Sequence, residues 1–155
     1  MVHRFSHRPG SLALLASLLL LLLTAGPAVA AGPINQSIFG VAVEGTDVVA
    51  YFTDAKVVPG VKQNRYTWHG ASWRFASAAH RALFAANPTK YAPQFGGYCA
   101  YGVAQGAKVG IDPQAWTIYK GKLYLNVNPE VQARWRQDIP GNLAKAAAKW
   151  PGLQK

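Results

Sequence analysis

One cysteine, one methionine and six acidic residues are all that this chain holds of three chemically active classes. Cys99 alone cannot close an internal disulfide. It is either a buried, inert thiol or one kept for metal or redox work. The only methionine is Met1, so a methionine-rich copper(I) site is excluded once the N-terminus is processed. The six carboxylates show no paired arrangement of the kind acid–base hydrolysis needs. Also absent are a phosphate loop, a dinucleotide fingerprint, an internal repeat and a low-complexity linker. A Cys99–His80 nucleophile pair is conceivable, but no cysteine-hydrolase motif is recognisable, and the sequence favours a non-enzyme without deciding it.

The chain has an apolar run, Leu12 to Leu23, behind Arg4 and Arg8. Gly26 and Pro27 end it, and Ala28-Val29-Ala30 gives the small-x-small pattern of signal peptidase. About twelve apolar residues fall short of the roughly 20 needed to span a bilayer. Residues 1–30 are therefore expected to be a cleaved signal peptide rather than an uncleaved anchor. No cysteine follows the run and no twin arginine precedes it, which points to general secretion and a periplasmic or secreted destination. Cleavage after Ala30 leaves fourteen Lys and Arg against six Asp and Glu, a net charge of +8. The basic residues are scattered, so nucleic acid is not an expected partner. An anionic membrane or periplasmic partner suits the charge better.

In the mature part, residues 31–42 read as a lead-in and 43–153 as one domain. Two hairpins are predicted. Arg65–Trp68 and Ser72–Phe75 flank His69-Gly70-Ala71; Trp116–Tyr119 and Leu123–Leu125 flank Lys120-Gly121-Lys122. Val48–Phe52 reads as a further strand. Ser77 is an N-cap for a helix over Ala78–Ala86, stopped by Pro88. Pro129 starts a helix through Gln137, and Leu143–Trp150 reads as a last helix ended by Pro151-Gly152. Hairpins and helices without βαβ alternation indicate an α+β fold with a small antiparallel sheet and packed helices. Trp68, Trp73, Phe75, Phe84, Trp116 and Leu125 are the expected core.

Between Pro88 and Pro113 runs a segment dense in aromatics and glycine, Tyr91-Ala92-Pro93-Gln94-Phe95-Gly96-Gly97-Tyr98-Cys99-Ala100-Tyr101 and onward to Gly106. Glycine permits close approach, and aromatics fill volume. Such a segment is either tightly packed or lines a site.

Several of these stretches, in order, resemble the YHS domain family. Asp47-Val48-Val49-Ala50-Tyr51-Phe52 is similar to the family's Asp-Pro-Val-Ala-Tyr-Phe opening. Tyr66–Phe75, Ala76–Arg81 and Asn87–Tyr91 resemble its body. The run from Tyr91 to Tyr101, the Trp116–Asn126 hairpin and Trp150-Pro151 resemble an exported subgroup. The resemblance covers roughly Val43 to Leu153. It implies a treble-clef-like core related to cysteine-rich metallochaperone domains, and binding of a metal, copper among the candidates. The cysteine-bearing members place one cysteine in the opening and others near the hairpin-to-helix junction. Here Val48 replaces the opening proline, Ala50 stands near the opening cysteine, Ala76 at the junction and His80 at a later cysteine. A four-thiolate site is therefore unavailable.

His80 and Cys99 remain as candidate metal ligands, imidazole being suited to copper, zinc or iron. Asp47 can orient the imidazole, and Tyr51, Tyr98 and Tyr101 can line the pocket. The alternative is a core histidine bonded to backbone and an inert thiol. His69, in a turn, is expected to be solvated. Three functions stay open: a periplasmic transition-metal module, an interaction module docking on a membrane or periplasmic protein, and a small-molecule or haem-binding domain built on the Tyr/Gly/Cys loop.

Overall fold

Turn chemistry decides both hairpins. In the computed structural model, which describes residues 33–155, β1 (Val61–Trp68) pairs antiparallel with β2 (Ala71–Phe75), Trp68 facing Ala71. His69 and Gly70 fill a two-residue turn with φ of 50° and 73°, left-handed-region conformations that give a turn matching the right-handed twist of paired strands. β3 (Asp112–Tyr119) and β4 (Lys122–Asn126) repeat the device, with Lys120 and Gly121 at φ of 48° and 71°. Both turns are one residue shorter than the three-residue loops expected, and β1 and β3 start earlier, each past a bulge. The fold is α+β. The two hairpins form separate two-stranded sheets rather than one sheet. The expected signal segment, 1–30, lies outside the described residues.

The expected strand over Val48–Phe52 is a helical turn instead, α1 (Ala50–Thr53). Asp47 causes the change: its Oδ1 accepts from the amides of Val49 at 3.0 Å and Ala50 at 3.3 Å, which satisfies helix-start donors that a strand would not offer. α2 (Ala78–Ala86) follows β2 after two residues, with Ser77 Oγ accepting from the His80 amide at 3.1 Å. The segment between Pro88 and Pro113 is partly helical, through α3 (Pro88–Tyr91) and α4 (Ala100–Gln105), with Gly106 closing α4 in the left-handed region. α5 (Pro129–Gln137) is capped by Asn128. α6 (Ile139–Leu153) is longer than expected at both ends. Asp138 caps it and Pro140 occupies its first turn, a position where a missing amide costs nothing. Pro151 sits inside its last turn, and the helix carries on past it, the Gln154 amide still reaching the Trp150 carbonyl at 3.1 Å.

Phe84 is the hub of the main core. Its ring lies 5.1 Å from Trp73, 5.0 Å from Phe75 and 5.8 Å from Trp68. Trp73, Phe75, Phe84 and Leu125 are fully buried as expected, each stabilising by about 1.5–3 kcal/mol. Trp68 and Trp116 are only half-buried. A second cluster holds the fully buried Trp135 against Tyr124 and Ala100. Where α4 meets α6, the contact is made by the small residues Val103, Ala104 and Ala146.

Candidate functional site

Asp47 sits where three elements converge: the start of α1, the end of β2 and the first turn of α2. The side chain is fully buried. Oδ1 takes the two α1 amides; Oδ2 takes the Ala76 amide at 2.8 Å and His80 Nδ1 at 2.7 Å. Four donors thus compensate one desolvated carboxylate, the condition for burying such a group. His80 is brought to it by the Ser77 cap, which fixes the first turn of α2. Its side chain is 17 % exposed. The other nitrogen, Nε2, lies 3.4 Å from the hydroxyl of the exposed Thr53 on α1. One nitrogen is therefore held by a carboxylate and the other faces outward, the orientation that a histidine ligand or proton carrier requires.

Cys99 belongs to a different network. It is 1 % exposed. Its sulfur caps α4 by accepting from the Gly102 amide at 3.4 Å, and the thiol donates to Asn126 Oδ1 at 3.7 Å. The Tyr101 amide shares that same oxygen, at 3.4 Å. No hydrogen bond joins Cys99 to His80. Among the described residues, no group of three or more His, Cys, Asp and Glu is placed to hold a metal ion.

The tyrosines expected around the pocket disperse. Tyr51 is buried, donates to the Pro113 carbonyl at 2.9 Å and packs on Trp116. Burial pushes its phenol up, with smaller contributions from the charges of Asp112 and Glu44. Tyr98 rests against Trp150 beneath the Lys108 ammonium. Tyr101 is half-buried beside Asn126. The aromatic segment is thus packed against side chains of other elements, Phe52, Tyr124 and Trp150 among them. An open cleft of about 180 Å³ lies nearby, between Ile34, Trp68, His69, Pro93 and Trp150. Neither His80 nor Cys99 lines it.

Thr53 and Asn126 are the polar partners that sequence reading missed. An Asp immediately ahead of a short apolar run is itself a turn signal, and heeding it would have placed Thr53 on a helix beside His80. Nothing in the sequence marked Asn126. Comparison with protein families, curated proteins and solved structures gave no match.

Proposed function

We propose that this chain is an exported YHS-type module, with a treble-clef-like core, that handles a transition-metal ion of the copper kind through one oriented imidazole. The observation that carries this reading is the 2.7 Å contact between the buried Asp47 carboxylate and His80 Nδ1. With Nδ1–H given to the carboxylate, Nε2 is left to present its lone pair, beside the Thr53 hydroxyl, in the orientation of a histidine ligand. A closed site does not fit the residues present, since Cys99 is engaged elsewhere and no third donor joins His80. An open, under-filled site suits a passing ion, with the remaining ligands drawn from solvent or a periplasmic partner. Imidazole alone accepts copper, zinc or iron, so the ion is specified by class.

Titration of untagged mature protein with copper(II) and zinc tests this. His80→Ala should abolish the site. Asp47→Asn should weaken it by about 10- to 100-fold, as loss of an orienting partner does. Cys99→Ser should leave it unchanged. Wild-type affinity in His80→Ala, or no binding by wild type, ends the reading.

A second reading, a metal-free docking module, is favoured by the charge distribution. The described residues hold fourteen Lys and Arg, and none forms an ion pair; the single charged contact is His80 with Asp47. Unpaired cations leave a positive field directed outward. Binding to an anionic surface that weakens steeply with salt is the corresponding measurement.

A further inference from the structure

Ile38 and Phe39 are 95 % and 85 % exposed, adjacent, and at the tip of a built turn. The Gly40 amide closes the turn on the Ser37 carbonyl at 2.8 Å, and the Ser37 amide reaches the Val41 carbonyl at 2.9 Å. Ser37 Oγ accepts from the amides of Phe39 and Val41. The base of the turn is tied to β2: the Ser72 amide donates to the Gly40 carbonyl at 2.7 Å, and the Ala42 amide to the Ser72 carbonyl at 3.0 Å. Turn tips ordinarily carry Gly, Asn, Asp or Ser. This one presents two large apolar side chains that contribute nothing to the core.

We infer that the Ile38-Phe39 tip is a membrane-docking element that enters the headgroup boundary of an anionic bilayer. A projecting two-residue tip has no flat face to offer a protein, but its depth suits the interfacial layer, where a few apolar side chains and basic residues act together. The charge is complementary. The hairpin to which the tip is tied carries the exposed Lys62 and Arg65, the part-buried Arg74 and no acidic residue, and none of the three is ion-paired. Anionic lipid headgroups attract such unpaired cations. A second copy of the chain is a poor occupant, because two net charges of +8 repel. The inference is independent of any metal at His80.

Co-sedimentation of the mature protein with vesicles of phosphatidylethanolamine and phosphatidylglycerol, against phosphatidylcholine alone, tests it. Wild type should bind the anionic vesicles and not the neutral ones. The double variant Ile38→Ser/Phe39→Ser should bind at least about tenfold more weakly, with an unchanged melting curve, because neither side chain is packed. A polarity-sensitive dye on Phe39→Cys should shift to the blue on adding anionic vesicles; buried Cys99 leaves position 39 as the reactive thiol. Binding that survives the double substitution, or a dye that stays in water, overturns the tip while leaving a purely electrostatic surface. Wild type that ignores anionic vesicles but is retained by heparin overturns the lipid assignment and keeps the docking reading. Retention on neither overturns both. A dimer in solution dispersed by the double substitution would make the tip a contact between copies and overturn the inference.

Discussion

Asp47 Oδ2 lies 2.7 Å from His80 Nδ1 across 33 positions of sequence, and that contact ties the opening segment to the helix after the first hairpin. The carboxylate is the acceptor for three backbone amides as well. Asp47→Ala should therefore destabilise the domain by about 3–5 kcal/mol, the range for breaking a buried charged network by removing one member. His80→Ala should cost less, about 1–3 kcal/mol, since the carboxylate keeps its three amides. Urea unfolding of both variants checks the order. Equal losses would mean that the amide bonds carry little of the network's stability.

Tyr51 predicts a specific alkaline weakness. Burial raises its phenol well above the ordinary value, aided by Asp112 and Glu44. The folded state therefore keeps the proton over a range in which the unfolded chain loses it. The contribution is fully present below about pH 10 and is lost as the pH climbs toward the folded value, at up to about 1.4 kcal/mol per pH unit. Tyr51→Phe loses the bond to Pro113, about 0.5–1.5 kcal/mol near neutrality. Its stability should then fall less steeply than wild type above pH 10. Buried Tyr124, also raised by burial, leaves a residual slope. Parallel slopes in variant and wild type would contradict the assignment.

The elements that were legible in the sequence are those whose ends are set by local chemistry. Ser77 and Pro129 marked the starts of α2 and α5, and Gly70 and Gly121 marked both hairpins, because a cap or a turn acts within four residues. The opening segment was misread because Val48, Val49 and Ala50 are buried all round, which erases the periodicity that separates strand from helix. Asp47 and His80 were both legible as candidates by residue type and resemblance. That Cys99 would cap α4 and bond to Asn126, rather than turn toward His80, depends on how β4 docks beside α4. Such long-range packing leaves no short-range mark.

Cys99 should behave as a capping residue and not as a reactive thiol. It is buried, and its sulfur holds the Gly102 amide. Cys99→Ala should cost about 0.5–2 kcal/mol, the worth of an N-cap side chain. A disulfide reagent should modify native protein only at the rate of opening, and modify it at once in strong urea. Immediate stoichiometric modification of native protein would place the thiol at the surface.

Gly96 offers the sharpest test of how the aromatic segment is packed. Its φ is +63°, in the left-handed region, and it follows Phe95 at +56° and precedes Gly97 at +79°. A Cβ on Gly96 would run into the Pro33 carbonyl oxygen and approach the Trp150 ring to 3.3 Å. Asn35 crosses the same spot, donating its amide to the Gly96 carbonyl at 2.8 Å and its side-chain amide to the Gly97 carbonyl at 3.0 Å. The start of the domain is thus clamped to this turn by contacts that only glycine permits. Gly96→Ala should cost at least about 2 kcal/mol, from the backbone conformation together with the displaced contact. It should also raise amide exchange at Asn35 ahead of the core strands. Gly110 has open space around it and no positive φ, so Gly110→Ala should stay within about 0.5 kcal/mol of wild type. Melting curves of the two alanine variants decide the matter. Similar small losses would mean that residues 33–35 are not held against this turn, and that the segment from Pro93 to Gly97 packs without them.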